Sequence, residues 1–245
     1  MIIDQDVCIG CEECRPYCPV RAISVSEEES DPKCVVNPEI CVECGVCLRS
    51  EVCPVEAISQ QELSWPRYVR AAFSNPCAAH RGSREMGRGT EEMKTNEVTG
   101  LFVRGMAGLA IEVGRPGCGT SLREVEKMTQ AMAEACVDFA PQNPVTSLIT
   151  DLSSGRLEPD ILDEQVLSAI IEFSVGLDRL EEVLKKIRET AQEMNTVFSL
   201  DLINRVDTDG TIPALSIAET AGFTVGIQCK TNLGLGRPLK EEHTR

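Results

Sequence analysis

The sequence predicts an α+β protein in two parts: a small cysteine-organised unit over residues 1–62, and a split-βαβ α+β sandwich over residues 101–245. Three observations carry this prediction. The first 62 residues contain a duplicated cysteine motif, residues 63–100 read as an Arg/Gly-rich connecting loop, and the remainder alternates strand-like with helix-like stretches. A chain of 245 residues can bury a real core, as one large domain or two ordinary ones.

The repeat comes first. DVCIGCEECRPYCPVRAISV aligns with EICVECGVCLRSEVCPVEAISQ, down to a shared CPV-x-AIS tail. The two runs are Cys8-x2-Cys11-x2-Cys14-x3-Cys18-Pro and Cys41-x2-Cys44-x2-Cys47-x5-Cys53-Pro. Three thiols at x2 intervals can wrap one cluster while N–H groups of the same loop point at its sulfurs. Structural zinc takes four ligands in two Cys-x2-Cys pairs, which would leave half of these cysteines unexplained. The apolar AIS tails can pair as short strands over the clusters. So small a unit has little core, and metal ligation would supply much of its stability.

This unit, about a quarter of the chain, resembles a two-cluster bacterial-type ferredoxin domain, in which the fourth cysteine of each run ligates the other cluster. The resemblance implies one [4Fe–4S] cluster on Cys8, Cys11, Cys14 and Cys53, and a second on Cys41, Cys44, Cys47 and Cys18. The x5 gap then separates two residues that serve different clusters, so its loop can bulge outward without disturbing either.

Composition narrows the function classes. Thirteen cysteines, with no basic-then-apolar leader at MIIDQDVC, point to metal or redox chemistry in a reducing cytoplasm. No window holds 18 uncharged apolar residues, which argues against a membrane span. The formal net charge is -15, and residues 1–62 hold 13 acids against 4 bases. That argues against nucleic acid and favours a redox partner protein with a positive patch, although an acidic surface equally serves solubility.

Past residue 62 the character changes. Residues 67–123 carry nine Lys/Arg against five acids and 9 of the 18 glycines. Glycine lets backbone approach a ligand and arginine grips carboxylate or phosphate, so Arg84, Arg88 and Arg115 are candidates for an anion site, holding a flavin phosphate or a small acidic substrate. Arg81 and Arg104 are further arginines of the same stretch. His80 is the candidate for proton transfer, while His243 sits in a charged tail. Cys77 and Cys118 lie near glycines and arginines that would stabilise a thiolate, making Cys77 a candidate catalytic thiol. Cys136 and Cys229 read as core thiols. Cys34 falls outside both runs.

The elements of the larger part follow from periodicity. LFVRGMAGLAIEV (101–113) reads as a strand or strand pair. SLREVEKMTQAMAEA reads as a helix with Leu122, Val125, Met128 (or Thr129) and Met132 on one face, and with Thr120 or Ser121 as its cap. A short strand at 137–140 runs into the proline-broken PQNPVT, and AIIEFSVG (169–176) reads as a buried strand. LDRLEEVLKKIRETAQEM is an amphipathic helix, TVFSLDLI a strand, 213–221 a helix, and FTVGIQC a last strand.

RGTEEMKTNEVTG and AIEVGRPGCGTSLREVEK are similar to the iron–sulfur part of 6-hydroxynicotinate reductases, as is CVECGVCLRSEVCPV with its x5 gap. This resemblance covers nearly the whole chain. It implies ferredoxin-dependent reduction of a pyridone carboxylate, in proteins that can be longer and can carry flavin. The competing expectations are a ferredoxin fused to a ligand-sensing domain, and an electron-transfer subunit whose second part only docks a partner. The glycines beside arginines favour the reductase.

Overall fold

The computed structural model describes residues 1–26, 31–81, 86–89, 102–117 and 119–226. The chain is a mixed α+β structure with one four-stranded sheet and several two-stranded ones.

The duplicated unit is built crosswise. Strand β1 (Ile2–Ile3) precedes the first run, β2 (Ile23–Val25) follows it, β3 (Cys34–Val36) precedes the second run and β4 (Ile58–Ser59) follows that. The tail strands do not pair with each other: β4 pairs with β1 and β2 with β3, both antiparallel. Each tail therefore lies on the lead-in of the other run. The backbone repeats this relation, with Asp4 N–H donating to the Ala57 carbonyl at 2.8 Å and Asn37 N–H to the Ala22 carbonyl at 2.7 Å. Left-handed residues recur at matching positions, Gly10 with Glu43, Glu12 with Gly45 and Arg21 with Glu56. Gly10 is needed for space as well, since a Cβ there would lie 2.1 Å from the Pro32 carbonyl oxygen. In the second run, a helical turn, α1 (Val46–Arg49), runs through Cys47 into the x5 segment, where the first run has the 3-10 turn Arg15–Tyr17.

The stretch expected to be a connecting loop contains a helix, α2 (Tyr68–Ser74), which buries Val69, Arg70, Ala71, Ala72 and Phe73. Beyond it come β5 (Met106–Val113), β6 (Thr120–Ser121), α3 (Leu122–Glu134), β7 (Asp138–Phe139), the short hairpin β8 (Ile149–Asp151) and β9 (Arg156–Leu157), β10 (Gln165–Val166), β11 (Ala169–Gly176), α4 (Leu177–Ala191), β12 (Phe198–Asn204) and α5 (Pro213–Thr220). The four-stranded sheet has the order β12-β5-β11-β7 with every neighbour antiparallel.

Alternation along the two central strands sends Ala107, Leu109, Ile111 and Val113, with Ala169, Ile171, Phe173 and Val175, to one face. There they meet Leu122, Val125, Met128 and Met132 of α3, and Leu180, Val183, Leu184 and Ile187 of α4. On the other face, Gly108 gives way to the buried Phe102 ring; a Cβ would stand 2.3 Å from it.

Several local expectations are corrected. Ser121 is the N-cap of α3 but makes no side-chain cap bond; the first amides, Leu122 and Arg123, donate instead to the Glu164 and Leu162 carbonyls. Cys136 is exposed rather than a core thiol, because it ends α3 in the left-handed conformation. Residues 223–226 form no strand: Phe223 N–H closes α5 on the Ala218 carbonyl, and residues 227–229 of the expected strand, Cys229 included, lie outside the described residues.

Candidate metal centre and adjoining cleft

The thiols of Cys18, Cys41, Cys44 and Cys47 line one cavity in the duplicated unit. Cys18 comes from the first run and the other three from the second, brought together by the crosswise pairing. Around the first run, Cys8 and Cys14 pack in the same buried cluster as β1, β3 and β4, with Cys53 against it and Cys11 exposed. The two fourth cysteines are held alike: Cys18 Sγ accepts from Ala22 N–H at 3.1 Å and Cys53 Sγ from Ala57 N–H at 3.2 Å. The backbone amides of Glu43 and Val46 act to lower the proton affinity of Cys41 and Cys44, against the larger opposing effect of burial. Such N–H···S bonds stabilise sulfur charge and tune a bound cluster.

Burial dominates the proton affinity of these thiols. It pushes Cys14 up to about 12 and Cys47 up to about 11, assisted by neighbouring cysteines, and raises Cys41 and Cys44. Without metal they are therefore thiols, and ligation has to release their protons. Among the described residues, no three His, Cys, Asp or Glu side chains close around a single-ion site. A cavity ringed by the soft sulfur donors Cys18, Cys41, Cys44 and Cys47 suits an iron–sulfur cluster.

The second run is tied to the rest of the chain by buried charge. Glu43, between Cys41 and Cys44, is 1 % exposed. Its carboxylate accepts from the Met1 ammonium, from Gln60 at 3.1 Å and from Arg67 Nε at 2.9 Å. Burial alone would raise this carboxyl, but hydrogen bonds from the ammonium, Gln60 and Arg67 outweigh it and hold the group below the usual range. Arg70 of α2 is 4 % exposed and donates to the carbonyls of Cys41 (2.8 Å), Pro38 (3.0 Å) and Glu39 (3.1 Å), and to the Glu164 carboxylate. Arg49, within the x5 gap, donates to Asn75 at 2.8 Å beyond the end of α2.

The opposite side of α2 faces a cleft of about 250 Å³, lined by Trp65, Tyr68, His80, Arg81 and Glu158 among others. Trp65 Nε1 donates to Asp160 at 2.7 Å, and the Arg81 guanidinium sits 5.6 Å above the indole centroid. His80 is buried, packs edge-on against Phe73, and bonds the Gly87 carbonyl through Nε2. A carbonyl only accepts, so Nε2 carries a proton.

The remaining predicted site residues are spread out. Cys77 is exposed in the turn after α2, with its amide capped by Asn75. Arg88 and Arg115 do come together, but around Glu112, at 3.8 and 3.2 Å, and Arg88 also donates to Ser168. That carboxylate competes with any anion for the pair. Burial, then Arg115, lowers the proton affinity of Arg88. Arg84, Cys118 and His243 lie outside the described residues. Sequence reasoning missed Arg70 and Glu43, whose partners lie far away in the chain, and also Trp65 and Tyr68, which lay in the supposed loop.

Comparison with known proteins agrees with the geometry of the first part. Residues 7–57 match the family described as a 4Fe-4S dicluster domain. The "Ferredoxin 7Fe" of Hydrogenibacillus schlegelii is 32% identical over 68 residues, 26% of this chain and 80% of that protein. Pyruvate synthase subunit PorD of Methanothermobacter marburgensis is 34% identical over 59 residues, 24% of this chain and 62% of the relative. Ferredoxin Fdx2 of Sorangium cellulosum is 45% identical over 53 residues, 20% of this chain and 48% of the relative. The chain thus spans less than two thirds of the latter two relatives. No solved structure matches the chain. No helix among the described residues is long and apolar enough to cross a membrane. Through this dicluster domain, which supports electron transfer on iron–sulfur clusters and implies a redox partner, the chain belongs to the ferredoxin family.

Proposed function

We propose that the protein is a cytoplasmic iron–sulfur reductase, or the electron-delivering part of one. In this reading, Cys8, Cys11, Cys14 and Cys53 hold one [4Fe–4S] cluster, and Cys41, Cys44, Cys47 and Cys18 hold the other. The clusters, when bound, supply low-potential electrons one at a time. The sheet of order β12-β5-β11-β7 with its helices is read as a split-βαβ sandwich carrying the receiving site.

The observation that carries the proposal is the position of α2. On one side, Arg70 grips the Cys41 carbonyl at 2.8 Å; about 160° around the helix, Tyr68 and Ala72 line the cleft. A helix is roughly 10–12 Å across, so one element separates the second ligand run from a space the size of a substituted aromatic ring. Trp65 offers that ring a stacking face, Arg81 a cation for a carboxylate, and His80 a buried imidazole for proton transfer. This is the chemistry that reduction of a 6-hydroxynicotinate-like heteroaromatic carboxylate requires, which supports that substrate class.

Anaerobically purified protein should contain about eight irons per chain and, reduced with dithionite, should be reoxidised by 6-hydroxynicotinate. Calorimetry should show binding that falls at least about tenfold in Arg81→Ala, in keeping with loss of a charge-assisted bond. Eight irons with neither binding nor reoxidation would overturn the substrate site and leave an electron-transfer domain fused to a docking domain. Flavin content, measured on the same sample, decides whether the protein carries a flavin at all.

A further inference from the structure

The two ligand runs fold alike, but only one of them is covered, so each serves as a control for the other. Positions correspond at a spacing of 33 residues, Cys8 with Cys41, Ile9 with Val42 and Cys11 with Cys44. Val42 is 2 % exposed and Cys44 is buried, whereas Ile9 is 62 % exposed and Cys11 is open to solvent. Arginines of the α2 segment close the second run: Arg67 holds Glu43, and Arg70 holds the carbonyls of Pro38, Glu39 and Cys41. The matching carbonyls of the first run belong to Gln5, Asp6 and Cys8. Lys33 takes that of Gln5 at 2.6 Å, while those of Asp6 and Cys8 accept no donor among the described residues. The same stretch carries the exposed acids Asp4, Asp6, Glu12 and Glu13. Arg15 pairs with Glu12, and among the described residues no cation pairs with the other three. An exposed apolar side chain, unclaimed carbonyls and unpaired carboxylates thus coincide beside the exposed ligand thiol.

Resting on the two-cluster reading, we propose that the first run is the electron port of the protein. The face of Asp6, Ile9, Cys11 and Glu13 docks a basic one-electron carrier protein, whose arginine or lysine side chains cover this run as Arg67 and Arg70 cover the second. The chain itself shows what such a loop accepts: cations that reach its carbonyls and carboxylates around a small apolar contact. A carrier is favoured over a second copy of this chain, because the face is acidic and the chain has a formal net charge of -15, so two copies repel. In the transfer, the carrier's reduced centre gives up one electron and the first cluster takes it; no bond forms or breaks. The second cluster, beside α2 and the cleft, then receives that electron from the first. One run faces the donor and the other faces the receiving site.

Ferric cytochrome c serves as the probe, a basic haem protein that takes the electron back out through the same face. The whole holoprotein, reduced and freed of dithionite, is mixed with it in a stopped-flow instrument at low ionic strength. Asp6→Lys combined with Glu13→Lys should lower the second-order rate at least about tenfold, and the difference should fade at about 0.5 M salt. Glu182→Lys combined with Glu219→Lys alters the net charge equally at exposed positions of α4 and α5, and should lower the rate by less than about twofold. Ile9→Ala should lower it at least about threefold, and that loss should survive the salt. Equal falls in the two double variants, or an unchanged rate in Ile9→Ala, would overturn the port. So would a wild-type dimer that Ile9→Ala disperses, because a second copy would then occupy the face. About four irons per chain in wild type would instead fail the two-cluster reading itself, before any rate is compared.

Discussion

Replacing Arg70 with alanine is expected to destabilise the protein by about 3–5 kcal/mol, the usual cost of removing one partner from a buried ion pair. Arg70 is 4 % exposed and its guanidinium is shared among the Glu164 carboxylate and the carbonyls of Pro38, Glu39 and Cys41. Alanine would leave Glu164, whose side chain is 15 % exposed, without this cation, and would cut the link between the second ligand run and the segment before β10. Lysine should recover little, because a point charge cannot serve four acceptors arranged for a planar fork. Guanidinium unfolding, followed by circular dichroism and by loss of cluster absorbance, measures the effect. The second cluster should be lost at lower denaturant than in wild type. A change within about 0.5 kcal/mol, the range of an ordinary surface substitution, would mean that α2 does not brace the ligand run.

Glu43→Ala is expected to cost a similar amount, about 3–5 kcal/mol. This carboxylate is 1 % exposed and takes hydrogen bonds from Arg67, Gln60 and the Met1 ammonium. Without it, two cations remain close together next to Cys41 and Cys44 with no counter-charge. Glu43→Gln keeps the shape and one acceptor, so its loss should be smaller. The same unfolding experiment, with iron release to a chelator as a second signal, should show faster loss of the second cluster than of the first. Equal rates from both clusters would contradict a local role.

How much of this was legible follows from the range of the interactions. The 169–176 strand and the 177–191 helix could be read because a run of buried residues and a 3.6-residue period are local patterns. The ligand runs could be read because ligand spacing is written directly in the chain. α2 was hidden: a helix of seven residues is too short to display a period, and its burial comes from distant partners. The hairpin of β8 and β9 was hidden for the same reason, having three and two residues per strand. Cys34 looked like a stray thiol because only the pairing of β2 with β3 carries it into the buried cluster that holds Cys8 and Cys14. Arg88 and Arg115 looked like an anion clamp because Glu112, which stands between them, belongs to an alternating strand whose facing could not be known in advance.

If each cluster draws its fourth ligand from the other run, as proposed, an iron count on paired cysteine variants reads it most directly. Cys18→Ala and Cys44→Ala each remove a ligand from the same proposed cluster, so the double variant should keep about four irons, as each single does. Cys18→Ala combined with Cys11→Ala strikes both clusters and should leave essentially no iron. The opposite pattern, with iron surviving in the Cys11/Cys18 double and lost in the Cys18/Cys44 double, would show that each run closes on itself and would contradict the crosswise account.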